Sequence, residues 1–177
     1  MIMEIKSKFI TAFMETAENF AKLSSAKRAQ VGAIIVKGDR IISIGYNGMP
    51  SGWTNECETS ETLNDVPHMR NEYISKGYIM HQGGDSITWT KHSTKPEVLH
   101  AEANAIAKVA QSNESSKGAV IFCTHMPCIE CAKLIHQSGI EAVYFRTPYD
   151  AAKGSGREFL EKSNISLVHV EANNGSN

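Results

Sequence analysis

Apolar residues recur every three or four positions near the start of the chain, which predicts an amphipathic helix over Glu4 to Leu23. Two β-branched runs follow at 31–36 and 40–45, and the residues Lys37-Gly38-Asp39 between them predict a tight turn. The two strands should therefore pair antiparallel. The next stretch, 45–52, is dense in glycine and other turn formers and predicts a loop.

Residues 53–97 are polar, lack a clear period and contain three histidines. A connection of this length inside a compact domain is commonly functional. We therefore predict one domain that spans 1–177, with an insertion at about 53–97. The insertion is expected to carry one short helix near 69–76.

Helices and strands alternate after the insertion. Helices are predicted at 99–111, 127–138 and 156–162, and strands at 119–123, 142–145 and 165–170. This alternation implies right-handed crossovers and a parallel section of sheet. Joined to the antiparallel pair, it predicts an α/β fold, a three-layer α/β/α sandwich with a mixed five-stranded sheet.

Charge and composition exclude several function classes. The 177 residues include 18 Lys and Arg against 19 Asp and Glu, so no global positive field attracts nucleic acid or anionic lipid. No apolar run approaches the roughly 20 residues that a membrane-spanning helix needs, and the N-terminus lacks the apolar segment of a secretory signal. We expect a cytoplasmic protein with neither a membrane nor a polynucleotide as partner.

The four cysteines favour metal or catalytic chemistry over disulfides, given this length and the absence of a secretory signal. Cys128 and Cys131 lie at a predicted helix start, where residues three apart are about 60° apart around the axis. Both sulfurs can therefore reach one ion. Cys123 lies on a predicted buried strand and should pack as a small apolar residue, which leaves Cys57 unassigned.

His100 stands at a second predicted helix start. With Cys128 and Cys131 it would form a zinc site that leaves the fourth position to water. Two thiolates neutralise the charge of Zn²⁺, so the ion acidifies its water less and a nearby proton acceptor matters more. Glu102 is placed to take that proton and return it to the substrate. Alone, Cys-x-x-Cys is also typical of a redox pair or a structural zinc site, whereas the combined pattern favours catalysis.

The pattern His-x-Glu followed by Pro-Cys-x-x-Cys, at 100–102 and 127–131, is the signature of zinc deaminases of nucleobases. The segments 28–36, 45–52, 100–106 and 132–140 narrow the resemblance to deoxycytidylate deaminases. The order of predicted elements is similar to the cytidine-deaminase-like fold over nearly the whole chain. The resemblance implies hydrolytic deamination of dCMP to dUMP and ammonia, with the product supplying thymidylate synthesis.

Other substrates and classes stay open at this point. Another cytosine nucleotide, dCTP or CMP, is the first alternative, and a free nucleoside would lack the phosphate that Arg28 could bind. A tRNA adenosine deaminase shares the zinc site, but it usually needs a basic surface. An inactive zinc-stabilised binding module would have no need of Glu102.

The resemblance also implies site residues. Zinc is held by His100, Cys128 and Cys131, and Glu102 transfers protons. The substrate-binding residues that it implies are Arg28 for the 5′-phosphate, Asn47 for the deoxyribose, Tyr149 near the phosphate, and Ala101. From the residues alone, Asn47 is better explained by a turn, and its neighbouring motifs reverse that preference. A solvated charge is the alternative for Arg28, and Tyr149 fits a packing role equally well.

Regulation and assembly follow from the same resemblance. Members of the family are commonly homohexamers that dCTP activates and dTTP inhibits, with Mg²⁺ accompanying the triphosphate. The resemblance places this regulatory nucleotide at Gly45, Tyr46, Gly48, Met49 and Gly52.

Some relatives carry a second, structural zinc. Cys57 and His92 match two of its ligand positions, but a third position is Ala26. The set is therefore incomplete unless His68 or His81 contributes.

Overall fold

Within residues 5–149 and 154–172, which the computed structural model describes, the chain forms five α-helices and eight strands. The helices are α1 (Ser7–Ala21), α2 (Arg70–Ser75), α3 (Ala101–Ala110), α4 (Ile129–Gln137) and α5 (Gly156–Lys162). The strands are β1 (Gly32–Lys37), β2 (Arg40–Tyr46), β3 (Glu58–Asn64), β4 (Ile79–Gly83), β5 (Ser86–Thr94), β6 (Val120–His125), β7 (Ala142–Thr147) and β8 (Ser166–His169).

A mixed five-stranded sheet in the order β2-β1-β6-β7-β8 forms the centre of the molecule. Strand β1 is antiparallel to β2 and β6, whereas β6, β7 and β8 are parallel. Helices cover both faces, so β1 and β6 are buried over five consecutive residues each, and these residues are apolar except for Thr124. The predicted α/β/α sandwich and its mixed sheet are confirmed.

Each face of the central sheet has its own core. On one face, α1 packs on the sheet: Met14 of α1 and Phe122 of β6 are fully buried, and the rings of Phe13 and Phe122 lie 5.4 Å apart. On the opposite face, Ile121 and Leu160 belong to the core beneath α3, α4 and α5. Consecutive residues of β6 thus serve opposite layers. Apolar burial on both sides fixes the sheet.

The insertion contains more regular structure than predicted. The short helix is confirmed as α2, which follows a 3₁₀ turn at Pro67–Met69. In addition, β3, β5 and β4 form a separate antiparallel sheet that the sequence prediction missed. The residues of β4 are all exposed, and those of β3 are mostly so. Strands without a buried face lack the alternation that identifies a strand in a sequence.

A small cluster around Trp89 holds the insertion together. Trp89 is 3% exposed, and its ring lies 5.4 Å from that of Tyr73. Its indole Nε1 donates a hydrogen bond of 2.7 Å to Asp65, and Arg70 binds the same carboxylate through Nε and Nη2. A pair of aromatic rings and an ion pair therefore take the place that the extended core has in the central sheet.

Helix starts differ slightly from the predicted ones. The predicted start at Glu4 lies outside the described residues, and α1 is observed from Ser7. Helices α3 and α4 begin two residues later than predicted, because His100 and Cys128 are extended N-cap residues. No helix in the described part of the chain has the length and apolar character to cross a bilayer.

Candidate active site

Three predicted metal ligands converge between the starts of α3 and α4. The Nδ1 atom of His100 lies 3.5 Å from the Sγ of Cys128 and 3.4 Å from the Sγ of Cys131. All three ligand atoms lie within 4.8 Å of one another, and in the described part of the chain this is the one such group. The structure therefore brings the predicted ligands together.

Backbone hydrogen bonds fix two of these ligands at the helix starts. The carbonyls of His100 and Cys128 accept from the N–H groups of Asn104 and Ala132, each at 2.9 Å. Helix N-termini favour negative charge, and thiolates are therefore stabilised there. Gly156 contributes in a way that the sequence did not indicate. A Cβ on it would lie 2.0 Å from the carbonyl oxygen of Pro127, so α5 can approach the cysteine loop only at a glycine.

The chemistry of the ligand group suits zinc. A hydrogen bond from Cys131, together with one from His100, lowers the pKa of Cys128 to about 3, so its sulfur is a thiolate at neutral pH. The same pairing and burial raise the pKa of Cys131. One imidazole and two sulfurs are a typical zinc ligand set, and three protein ligands leave one position open. The residues present therefore fit a zinc ion.

Glu102 lies in the first turn of α3 and is 4% exposed. Burial raises the pKa of its carboxyl group, while hydrogen bonds from its own backbone amide and from Cys131 act in the opposite direction. A carboxyl group with a raised pKa takes up and releases a proton closer to neutral pH. Glu102 is thus suited to proton transfer beside the ligand group.

A cavity of about 350 Å³ opens beside the ligand group. Its lining includes all the predicted substrate-binding residues together with Glu102 and two of the metal ligands: Arg28, Asn47, Ala101, Glu102, Tyr149, His100 and Cys128. The sequence motifs that carry these residues lie far apart along the chain. The fold brings them to one place.

Asn47 has a structural task in the wall of this cavity. Its Oδ1 accepts from the N–H of Val31 at 2.7 Å, and its Nδ2 donates to the carbonyl of Ala29 at 2.9 Å. These bonds tie the end of β2 to the segment that follows Arg28. Contact with a deoxyribose stays a prediction.

Several further residues line the cavity and were not predicted as site residues, among them Glu58, Thr94, His125 and Met126. His125 lies three positions before Cys128. In the sequence, this closeness to the Pro-Cys-x-x-Cys motif is the one signal that could have identified it. Its Nδ1 lies 3.1 Å from the Oγ1 of Thr124, and burial lowers the pKa of the imidazole. Glu58 and Thr94 come from the insertion, where no local pattern marks them.

The segment predicted to bind a regulatory nucleotide is only partly a loop. Gly45 and Tyr46 belong to β2, so the predicted strand end at Gly45 is confirmed and the prediction of a loop is wrong for Tyr46. A Cβ on Gly45 would lie 2.1 Å from the carbonyl oxygen of Ala101, so this glycine permits close packing of α3 on β2. Gly48 forms a backbone bridge with Leu99, and Gly52 has a φ of +86°. The regulatory role stays a prediction.

The residues considered for a second zinc do not come together as a ligand set. Cys57 is 1% exposed and packs in a small apolar cluster with Ala26 and Val98. The Nδ1 of His92 is hydrogen-bonded to the Oγ of Ser60 at 2.8 Å. Within the described residues, neither side chain belongs to a group of three possible ligands. Cys123 is fully buried, as predicted.

An α/β/α sandwich with a His-Cys-Cys group at two helix starts and a buried glutamate beside it defines the class of zinc-dependent deaminases. The family model for the cytidine and deoxycytidylate deaminase zinc-binding region matches residues 7–147. The chain belongs to this family.

Within this family, the chain is similar to several deoxycytidylate deaminases. The deoxycytidylate deaminase of enterobacteria phage T4 is 35% identical over 158 residues, which are 82% of this chain and 81% of that protein. The human deoxycytidylate deaminase is 35% identical over 134 residues, 75% of this chain and 61% of that protein. The dCMP deaminase of cyanophage S-TIM5, solved in complex with dCMP and dUMP, matches with a TM-score of 0.72 and 35% identity over 94% of this chain and 100% of that chain.

Proposed function

We propose that this chain hydrolyses dCMP to dUMP and ammonia. One observation carries the proposal: a single cavity joins the His-Cys-Cys group and Glu102 to Arg28. The His-Cys-Cys group and Glu102 are suited to hydrolytic removal of an amino group. The guanidinium of Arg28 is suited to binding a phosphate. The solved relative that binds dCMP and dUMP is similar over nearly the whole chain.

In this mechanism His100, Cys128 and Cys131 hold zinc. The bound metal supplies an acidified water for attack on the ring carbon that bears the amino group. Glu102 accepts one proton from the attacking water and delivers it to N3 of the ring. It then takes the second proton from the new hydroxyl on the ring carbon and passes it to the amino group, which leaves as ammonia as the carbon–nitrogen bond breaks and the carbonyl forms. Its burial at 4% exposure keeps bulk water from competing for that proton.

Recognition of the nucleotide is assigned to four other residues that line the cavity. Arg28 pairs with the 5′-phosphate, because its planar group offers several donors to an anion. Asn47 lies beside the deoxyribose, and Tyr149 and Ala101 complete the wall. Tyr149 is 51% exposed, which suits a place at the mouth of the cavity.

Regulation and assembly extend the proposal by family resemblance. The active form would be a cytoplasmic homohexamer with one zinc per chain, activated by dCTP with Mg²⁺ and inhibited by dTTP. Its dUMP would supply thymidylate synthesis. Rates with each effector, light scattering and metal analysis test these parts, and a rate insensitive to both triphosphates would contradict the regulatory part.

The decisive experiment compares substrates. Ammonia release is measured from dCMP, deoxycytidine, CMP and dCTP, with the natural chain and with Arg28→Ala. We expect dCMP to be preferred and Arg28→Ala to remove that preference, since the variant lacks the phosphate partner. Lys27→Ala removes the neighbouring charge and serves as the matched control. Equal rates on deoxycytidine and dCMP would overturn the proposal.

A further inference from the structure

Two residues of the insertion sheet face the cavity from the same place. Glu58 opens β3 and Thr94 ends β5, and the two are direct cross-strand partners. Both line the cavity beside Arg28. A bond of 2.9 Å from the N–H of Lys95 to the carbonyl of Cys57 closes the base of the sheet, next to this pair.

This pair holds Arg28 at both ends. The Oε1 of Glu58 accepts from the backbone N–H groups of Lys27 and Arg28, at 2.9 and 3.2 Å. The Oγ1 of Thr94 accepts from Nη1 of Arg28 at 3.1 Å. The backbone and the guanidinium of one arginine are therefore both fixed by one cross-strand pair.

The arrangement leaves Arg28 available for an anion. Thr94 takes up one of the five guanidinium donors. The carboxylate of Glu58 binds backbone groups, and within the described residues Arg28 is not part of an ion pair. A long exposed side chain loses rotamer freedom when it binds a ligand, and holding it in place beforehand reduces that loss.

We propose that Glu58 and Thr94 are positioning residues for Arg28, so that the insertion sheet sets the affinity of the site for substrates with a 5′-phosphate. The proposal rests on the proposed function, because it requires Arg28 to bind that phosphate. Neither residue contacts the reacting atoms in this scheme. Their loss should therefore change KM for the phosphorylated substrate much more than kcat.

The test uses the full-length, zinc-loaded chain. Thr94→Val removes the acceptor and keeps the shape, and we expect KM for dCMP to rise about two- to tenfold, as for loss of one hydrogen bond. The inhibition constant of deoxycytidine, which has no phosphate, should not change. Thr94→Ser keeps the hydroxyl and should restore KM. Thr90→Val is the matched control, since Thr90 lies on the same strand and its hydroxyl contacts Thr62.

The second half of the test concerns Glu58. Glu58→Ala should raise KM for dCMP, and Glu58→Gln should restore it, because the amide oxygen can accept from the same two N–H groups. A KM that stays raised in Glu58→Gln would mean that the negative charge, not the acceptor, matters, which would contradict the positioning role.

A double variant separates this inference from the function on which it rests. If Thr94 acts through Arg28, Thr94→Val should add nothing in an Arg28→Ala background. Should Arg28→Ala itself leave KM for dCMP unchanged, the phosphate role of Arg28 is overturned and the positioning role with it. Should Arg28→Ala raise KM while Thr94→Val does not, or should the two effects add in full, only the positioning role is overturned.

Discussion

The central sheet and the insertion sheet are built on different physical principles. In the central sheet, β1 and β6 are buried in succession and packed on both faces. In the insertion sheet, β4 is exposed along its whole length, and the main buried anchor is Trp89 at 3% exposure. The first is held by extensive apolar contact, and the second by a few specific contacts.

The two sheets also contribute different groups to the cavity. The metal ligands and Glu102 lie at starts of helices that pack on the central sheet. Helix hydrogen bonds hold His100 and Cys128 there, and Cys131 and Glu102 are buried. The contacts that hold Arg28 come from the insertion sheet. Under the proposed function, the groups assigned to the reaction therefore lie on the part of the molecule with the larger core, and the contacts assigned to phosphate recognition come from the part with the smaller core.

The largest effect is expected from Cys128→Ser, which tests the metal ligands beside the central sheet. Loss of a thiolate ligand should remove zinc and reduce kcat/KM for dCMP by at least about 10³-fold, because the acidified water is lost. Metal analysis and ammonia release check both effects. Cys57→Ser is the matched control, since Cys57 packs in an apolar cluster. Full zinc content in Cys128→Ser, or loss of zinc in Cys57→Ser, would contradict the assignment.

The insertion is tested by Trp89→Ala. Removing a buried aromatic side chain costs about 3–5 kcal/mol, which should disorder the insertion while the central sheet stays folded. KM for dCMP should then rise as Arg28 loses its support, with zinc content unchanged. Trp53→Ala, at a tryptophan that is 58% exposed, is the control. If Trp89→Ala loses zinc as well as the fold of the insertion, the metal site and the insertion are not independent.

A smaller effect is expected from pH. Hydrogen bonds from Arg70 and Trp89 lower the pKa of Asp65. A carboxyl group whose pKa is lower in the folded state stabilises that state above its ordinary pKa of about 4, and the contribution is lost as the pH falls through the lowered value. The insertion should therefore loosen in acid below about pH 4, as reported by Trp89 fluorescence in a Trp53→Phe background.

Asp65→Asn checks this dependence, because it removes the carboxylate at every pH. The variant should be less stable at neutral pH and should respond less to acid, whereas Asp85→Asn in the exposed turn between β4 and β5 should behave like the parent. An acid transition that is the same with and without the Asp65 carboxylate would assign the effect to other groups.

The same contrast explains what the sequence could predict. The strands around Ile34 and Ile121 are continuous apolar runs, and the ligands at His100 and Cys128 lie in short local motifs. Glu58 and Thr94 lie 30 and 66 residues from Arg28, and their contacts form only when the insertion folds onto it. Gly45 was predicted to begin a loop, yet its contact with α3 is a property of packing between layers.

We propose that this cavity deaminates dCMP with Glu102 as the proton carrier. The most direct measurement compares dUMP and ammonia formation from dCMP by the zinc-loaded natural chain and by Glu102→Gln, with zinc content determined in both. We predict equal dUMP and ammonia from the natural chain, and a loss of about 10²–10⁴-fold in Glu102→Gln with zinc retained. Normal turnover by Glu102→Gln, or no dUMP from the zinc-loaded natural chain, would contradict the account.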